Sequence, residues 1–171
     1  LPSNVALTVN PDETYIRAKC GDETYILAQA LAPSVLKDSY SVVKSCMGRE
    51  LYGMEYEPLF DFARADKKAY YVVCDSFVTL TDGTGIVHTA PAFGEDDARV
   101  GKANDLPFVQ LVNEQGNFVE EVAPWKGMFV KTADPDIIRE LSSRGLVYKS
   151  MDYGHSYPYC WRCDTPLLYY A

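Results

Sequence analysis

Residues 81–97 read TDGTGIVHTAPAFGEDD and pass from a turn through a strand into a helix. Asp82-Gly83 is a turn signal of the kind that closes hairpins. On a strand over Gly85 to Ala90, side chains alternate, so Thr84, Ile86, His88 and Ala90 fall on one side and Gly85, Val87 and Thr89 on the other. Pro91 stops the strand, and Gly94 admits a turn into a helix running to Asp105 whose first turn holds Glu95, Asp96 and Asp97. Acids there favour the positive end of the helix dipole. A strand end, a tight turn and a helix start thus bring an imidazole and a carboxylate to one rim.

Working outward, Tyr70 to Leu80 reads as a long strand pairing with Gly85 to Ala90 across the Asp82-Gly83 turn. Upstream, Thr14 to Lys19 and Thr24 to Gln29 flank Cys20-Gly21-Asp22 as a hairpin, followed by a short helix over Pro33 to Asp38 and a strand over Ser41 to Met47. Downstream, Phe108 to Val112 and Phe118 to Val122 flank residues 113–117 as another hairpin. Asp134-Pro135 starts a second helix, with Asp134 as N-cap and Pro135 at the first helical position, and Gly145 ends it. The pattern is that of a strand-dominated α+β domain, a distorted β-barrel with short peripheral helices at its rim. It divides into a domain over 1–152 and an aromatic- and Cys-rich connecting tail over 153–171.

Composition narrows the function. The 171 residues are 47% hydrophobic, 13% aromatic and 23% charged, a globular balance without disorder bias. With 16 Lys and Arg against 24 Asp and Glu, the formal charge of −8 argues against a free-standing nucleic-acid binder. An RNA partner then requires that another part of a larger protein help to hold it. No apolar run approaches membrane-span length, and the start lacks both an initiator Met and a signal peptide, as in a fragment of a longer chain. Five cysteines, an odd number, at 20, 46, 74, 160 and 163 fit a reducing compartment better than a secreted disulfide scaffold.

No nucleophile elbow or P-loop occurs, and Gly83-Thr84-Gly85 lacks the rest of a dinucleotide site. From the residues alone, His88 reads first as a satisfied, partly buried histidine, and Asp97 more strongly still as an acid steadying the first helical turn. Cys160-x-x-Cys163 has the spacing of two zinc ligands from one turn, but structural zinc takes four. His155 offers a third ligand. Two buried free thiols or an adventitious disulfide are equally simple readings.

The run GTGIVHTAPAFGEDD closely resembles the strand-turn-helix segment of the editing domain (connective peptide 1) of isoleucyl-tRNA synthetases. Further matches are LPSNVALTVNP at 1–11, EYEPLF at 55–60, ADP at 133–135 and HSYPYCWRCDTPLLYYA at 155–171, so the resemblance covers the chain. It implies proofreading, for which this synthetase is a standard case: one missing methylene is worth only about 1 to 3 kcal/mol, so a second site must hydrolyse misactivated valine. The implied reaction is hydrolysis of the aminoacyl ester of valyl-tRNA(Ile), or of valyl-adenylate. Asp97 takes the position of the aspartate that holds the substrate ammonium, and His88 that of the pocket histidine beside the substrate side chain. Thr84, Gly85 and Thr89 are further pocket candidates by adjacency. The resemblance also implies a threonine-rich pocket segment upstream of Leu1, without which hydrolysis by this chain is expected to be weak. The alternative is a truncated, non-catalytic module that binds aminoacyl-adenosine ends. Implied partners are the valine-bearing 3′ end of tRNA(Ile) and the rest of the synthetase, with a monomeric, cytoplasmic protein and no membrane. Editing itself needs no cofactor. Zinc on Cys160 and Cys163 belongs to some full-length members, and ATP and magnesium serve the synthetic domain outside this chain.

Overall fold

A computed structural model describes residues 1–37, 39–62, 66–150, 159–162 and 167. Six short strands form two three-stranded sheets. The first contains β1 (Ala6–Val9), β5 (Tyr71–Cys74) and β6 (Ile86–Thr89), in the order β5-β1-β6. In it β1 runs parallel to β5 and antiparallel to β6. The second contains β2 (Thr14–Cys20), β3 (Glu23–Ala28) and β4 (Ser41–Met47), in the order β3-β2-β4, all antiparallel. Among the described residues three α-helices, α1 (Ala32–Leu36), α2 (Glu95–Ala103) and α3 (Val130–Ser143), complete a strand-rich α+β fold.

In the second sheet the β2–β3 hairpin and the strand over Ser41–Met47 match their sequence readings, and the pairing of β4 with the far side of β2 is added by the structure. The first sheet departs from its reading. Tyr70 to Leu80 is not one long strand, and it does not pair with Gly85 to Ala90: β1, 62 residues or more away in sequence from both, inserts between β5 and β6. The strand ends at Cys74 because Asp75 turns the chain, its carboxylate accepting the Phe77 N–H at 2.9 Å. Nor do the described strands close into a barrel. No ladder joins the two sheets, which meet through side chains and loop contacts. The Tyr15 hydroxyl donates to the Gly85 carbonyl at 2.6 Å and the Ala28 N–H to the Thr84 carbonyl at 2.8 Å.

Alternation along β1 and β5 sorts the core. Ala6, Tyr71 and Val73 pack with Val100 and Leu106 beneath α2, while Val9 and Val72 pack with Tyr15, Ala28, Leu31 and Leu51 between the sheets. A separate cluster joins α3, through Ala133, Ile137 and Leu141, to Leu111, Val112, Phe118, Val122 and Trp125. Here α3 starts earlier than its sequence signal. Its first residue is Val130, Phe129 is the N-cap, and Pro135 lies inside the helix. The buried stripe through Ala133, Ile137 and Leu141 holds this extension, at the cost of the one intrahelical bond that Pro135 cannot donate. The 108–122 hairpin is reduced to a single bridge, Val112 to Phe118. Its turn is tied by the Asn113 carboxamide oxygen, which accepts the N–H groups of Gln115 and Asn117.

Candidate functional site

The 81–97 segment folds as its sequence reads at the strand end, the turn and the helix start. Strand β6 delivers His88 opposite Leu7 on β1, and Gly94 is the N-cap of α2. The Asp97 carboxylate reaches back over the turn, its Oδ1 accepting the Ala90 N–H at 2.7 Å. This return needs a glycine at 94, since a Cβ there would stand 2.4 Å from Asp97 Oδ2. Asp97 is half-buried, and desolvation holds its pKa above the ordinary aspartate value, with nearby Asp96 adding to the rise and the bonds to backbone N–H groups opposing it. A desolvated carboxylate of this kind is prepared for a cation, whose arrival would offset that cost.

His88 stands in the wall of a cavity of about 480 Å³ together with Ala90, Phe93, Val112, Phe118, Val130 and Ile137, with Ser3, Lys131 and Asp134 among its polar lining. The imidazole reaches solvent, yet desolvation pushes its pKa from 6.5 down to about 4. A ring can touch water at one edge while lacking a full hydration shell. Its exposure bounds the size of the shift, and the direction leaves a neutral imidazole at pH 7.

The remaining pocket candidates lie elsewhere. Thr84 and Gly85 sit at the other end of β6, where their carbonyls bond Ala28 and Tyr15, and they border a separate hollow of about 300 Å³. Thr89 is fully buried, its Oγ1 2.5 Å from Thr8 Oγ1. Ala90 joins the two main candidates, since it lines the cavity beside His88 and bonds Asp97, which itself is not part of the lining. Sequence reasoning missed the apolar wall from Phe93, Val112, Phe118, Val130 and Ile137. These residues read individually as core positions, and only the packing of α3 against the 111–118 segment assembles them. Cys160 is a half-buried free thiol, and no cluster of three metal-ligating side chains occurs among the described residues. Cys163 and His155 lie outside them. No helix among the described residues is long and apolar enough to cross a membrane.

No protein-family model matches the chain. Among curated proteins it is 58% identical over 170 residues to the isoleucine–tRNA ligase of Clostridium novyi, and equally to that of Clostridium acetobutylicum. It is 47% identical over 171 residues to that of Bacillus thuringiensis. Each match takes in at least 99% of this chain but 16% of the relative's length, so the chain spans about one sixth of these proteins. Among solved structures, the leucyl-tRNA synthetase domain GlLeuRS-CP1 aligns with a TM-score of 0.64 over 89% of this chain and 79% of that one, at 13% identity. The editing domain of the Plasmodium falciparum cytosolic leucyl-tRNA synthetase aligns with a TM-score of 0.60 over 85% and 73%, at 12% identity. These likenesses establish the fold.

Proposed function

We propose, for a chain that belongs to the isoleucine–tRNA ligase family as its editing-domain segment, that it hydrolyses valine wrongly attached to tRNA(Ile). What carries the reading is the Ala90–Asp97 hydrogen bond, which fixes a desolvated carboxylate at the strand-turn-helix rim beside the His88 cavity. In the reaction, a water oxygen bonds to the ester carbonyl carbon, the bond to the ribose oxygen breaks, and that oxygen takes up a proton. Valyl-adenylate is attacked in the same way at its mixed anhydride. Asp97 holds the α-ammonium group and so fixes the carbonyl for attack. Neutral His88 packs beside the substrate side chain and restricts the space for isoleucine's extra methylene. The remainder of the synthetase presents the tRNA, in the cytoplasm, and the chain acts as one copy. The hydrolysis uses no cofactor. Cys160 and Cys163 are the residues that would contribute to a zinc site in the longer protein, while ATP and magnesium belong to its synthetic domain.

The test is deacylation of valyl- and isoleucyl-tRNA(Ile). Asp97→Ala is expected to slow both esters alike, by about ten- to a hundred-fold, from the loss of a charged hydrogen bond worth about 1.5 to 3 kcal/mol. Asp97→Asn, which keeps an acceptor for the Ala90 N–H, separates ammonium binding from support of the turn. His88→Ala is expected to lower the valyl-to-isoleucyl rate ratio. Because desolvation lowers the His88 pKa and leaves the imidazole neutral at pH 7, the rate should carry no inflection from it around pH 7. An inflection in that range that disappears in His88→Ala would make the imidazole a general base. A chain extended upstream by the threonine-rich segment is expected to be faster. Binding of a valyl-adenosine ester without hydrolysis, even by the extended chain, would leave a non-catalytic module.

A further inference from the structure

The second sheet carries a charge arrangement that the hydrolytic site does not use. Directly opposed residues of an antiparallel pair share a face, and residues two apart along a strand do too. Arg17 opposes Lys44, and Lys19, two residues on, opposes Ser41. Lys44 and Ser41 are an odd number apart and would lie on opposite faces of a regular strand. The register shift between Arg17 and Ala18 leaves one extra residue in β4 and returns both to one face. On the other side of β2, Thr24 and Ile26 oppose Lys19 and Arg17 on that same face. The only acid within the three strands, Glu23, opposes Cys20 and therefore lies on the reverse face.

Arg17, Lys19 and Lys44 are all exposed. None of them makes an ion pair or a side-chain hydrogen bond among the described residues, whereas Arg49, Lys67, Lys68, Arg99, Lys126 and Arg139 are each matched to a carboxylate. Like charges set directly opposite one another destabilise a strand pair, so the Arg17–Lys44 pairing works against the fold. Within a chain of net charge −8, these three cations, on a face to which the strands contribute no acid, form a local site of attraction for a polyanion. The same face begins at the buried Tyr15, whose hydroxyl donates to the Gly85 carbonyl, one residue before the strand β6 that carries His88.

We infer that the Arg17–Lys19–Lys44 face of β2 and β4 is a docking surface for the phosphate backbone of an RNA, which it holds while the RNA's 3′ end enters the His88–Asp97 rim. The inference rests on the proofreading reading for the identity of the RNA. The charge around the face also orients the RNA, since the acidic remainder of the chain repels it from other approaches.

The experiment measures binding of deacylated tRNA(Ile) to the 171-residue chain as a function of salt. Replacing Arg17, Lys19 and Lys44 together by Gln is expected to weaken binding about tenfold or more at low salt. It should also reduce the slope of log affinity against log salt by about one per residue removed. A second variant, with Lys67, Lys68 and Lys126 replaced by Gln, changes net charge equally and is expected to leave the slope unchanged. Thermal unfolding checks that both variants are folded. Hydrolysis of the valyl ester of adenosine, which has no phosphate backbone, should be unchanged by the sheet variant. If the chain extended upstream by the threonine-rich segment binds that ester without hydrolysing it, the proofreading reading fails while the salt slope is still read independently. The docking surface is overturned if the chain binds no tRNA at low salt, if both triple variants lower the slope equally, or if neither does. It is likewise overturned if the sheet variant loses affinity for polyglutamate alone, which would mark an acidic protein segment as the occupant.

Discussion

The two sheets have the same number of strands and differ in almost everything else. In the β5-β1-β6 sheet, Ala6, Thr8, Val9, Val73 and Thr89 have no exposure at all, with α2 on one face and the other sheet on the opposite one. In the β3-β2-β4 sheet, β4 is exposed through most of its length, with Val42 at 54% and Val43 at 62%. The first sheet takes its strands from residues 6–9, 71–74 and 86–89, the second, which buries Tyr15, Ile16, Ala18, Leu27 and Ala28 but leaves β4 open, from a continuous run between 14 and 47. Burial of a polar side chain is tolerated only with a partner, which explains why Thr8 and Thr89 hold each other's hydroxyls. Cations without acids occur in the other sheet because they remain in water. One sheet therefore supports the His88–Asp97 segment, and the other presents cations to solvent.

The seam between them is the sharpest place to break this comparison. Gly85 has φ +72°, and a Cβ there would lie 2.6 Å from Ala28 Cβ and 2.9 Å from Leu80 Cδ2. Gly85→Ala should cost about 3 kcal/mol or more, combining the left-handed backbone with overpacking, read by urea unfolding. A cost below about 1 kcal/mol would mean that the sheets are not locked together at that point. Within the first sheet, Thr8→Val strands the Thr89 hydroxyl and should cost about 1 to 3 kcal/mol, whereas Thr8→Val with Thr89→Val should cost less than the two singles added. Additive costs would show that the hydroxyl pair is not a unit. The smallest effect belongs to the exposed edge. Val43→Ala is expected to change stability by no more than about 0.5 kcal/mol, against roughly 1.5 kcal/mol or more for Val73→Ala. Similar costs at the two positions would dissolve the distinction between the sheets.

Legibility followed the same division. The hairpin of β2 and β3, strand β4, helices α1 and α2, and the end of α3 at Gly145 could be read because turn residues, caps and alternation act over a few neighbours. Tyr70 to Leu80 misled because its hydrophobic run continues beyond the strand: Val78 is buried after the Asp75 turn, so burial without sheet pairing resembles a longer strand. Asp134-Pro135 misled because a local start signal was overridden by a buried stripe that the sequence does not advertise.

At the candidate site, the order strand, proline, turn, glycine, acidic helix start was written into residues 81–97, and with it the return of Asp97 to the strand end at Ala90, two residues from His88. The motif matches also carried the family. What tertiary structure alone decided was the insertion of β1 between β5 and β6, the apolar cavity wall drawn from α3 and the 111–118 segment, and the unopposed cations gathered on one face by a β-bulge. The physical reason is range. Turn geometry, capping and side-chain alternation are fixed by neighbouring residues, whereas strand pairing, cavity lining and the relative facing of charges depend on contacts between distant segments, whose ordering only the packed core can enforce.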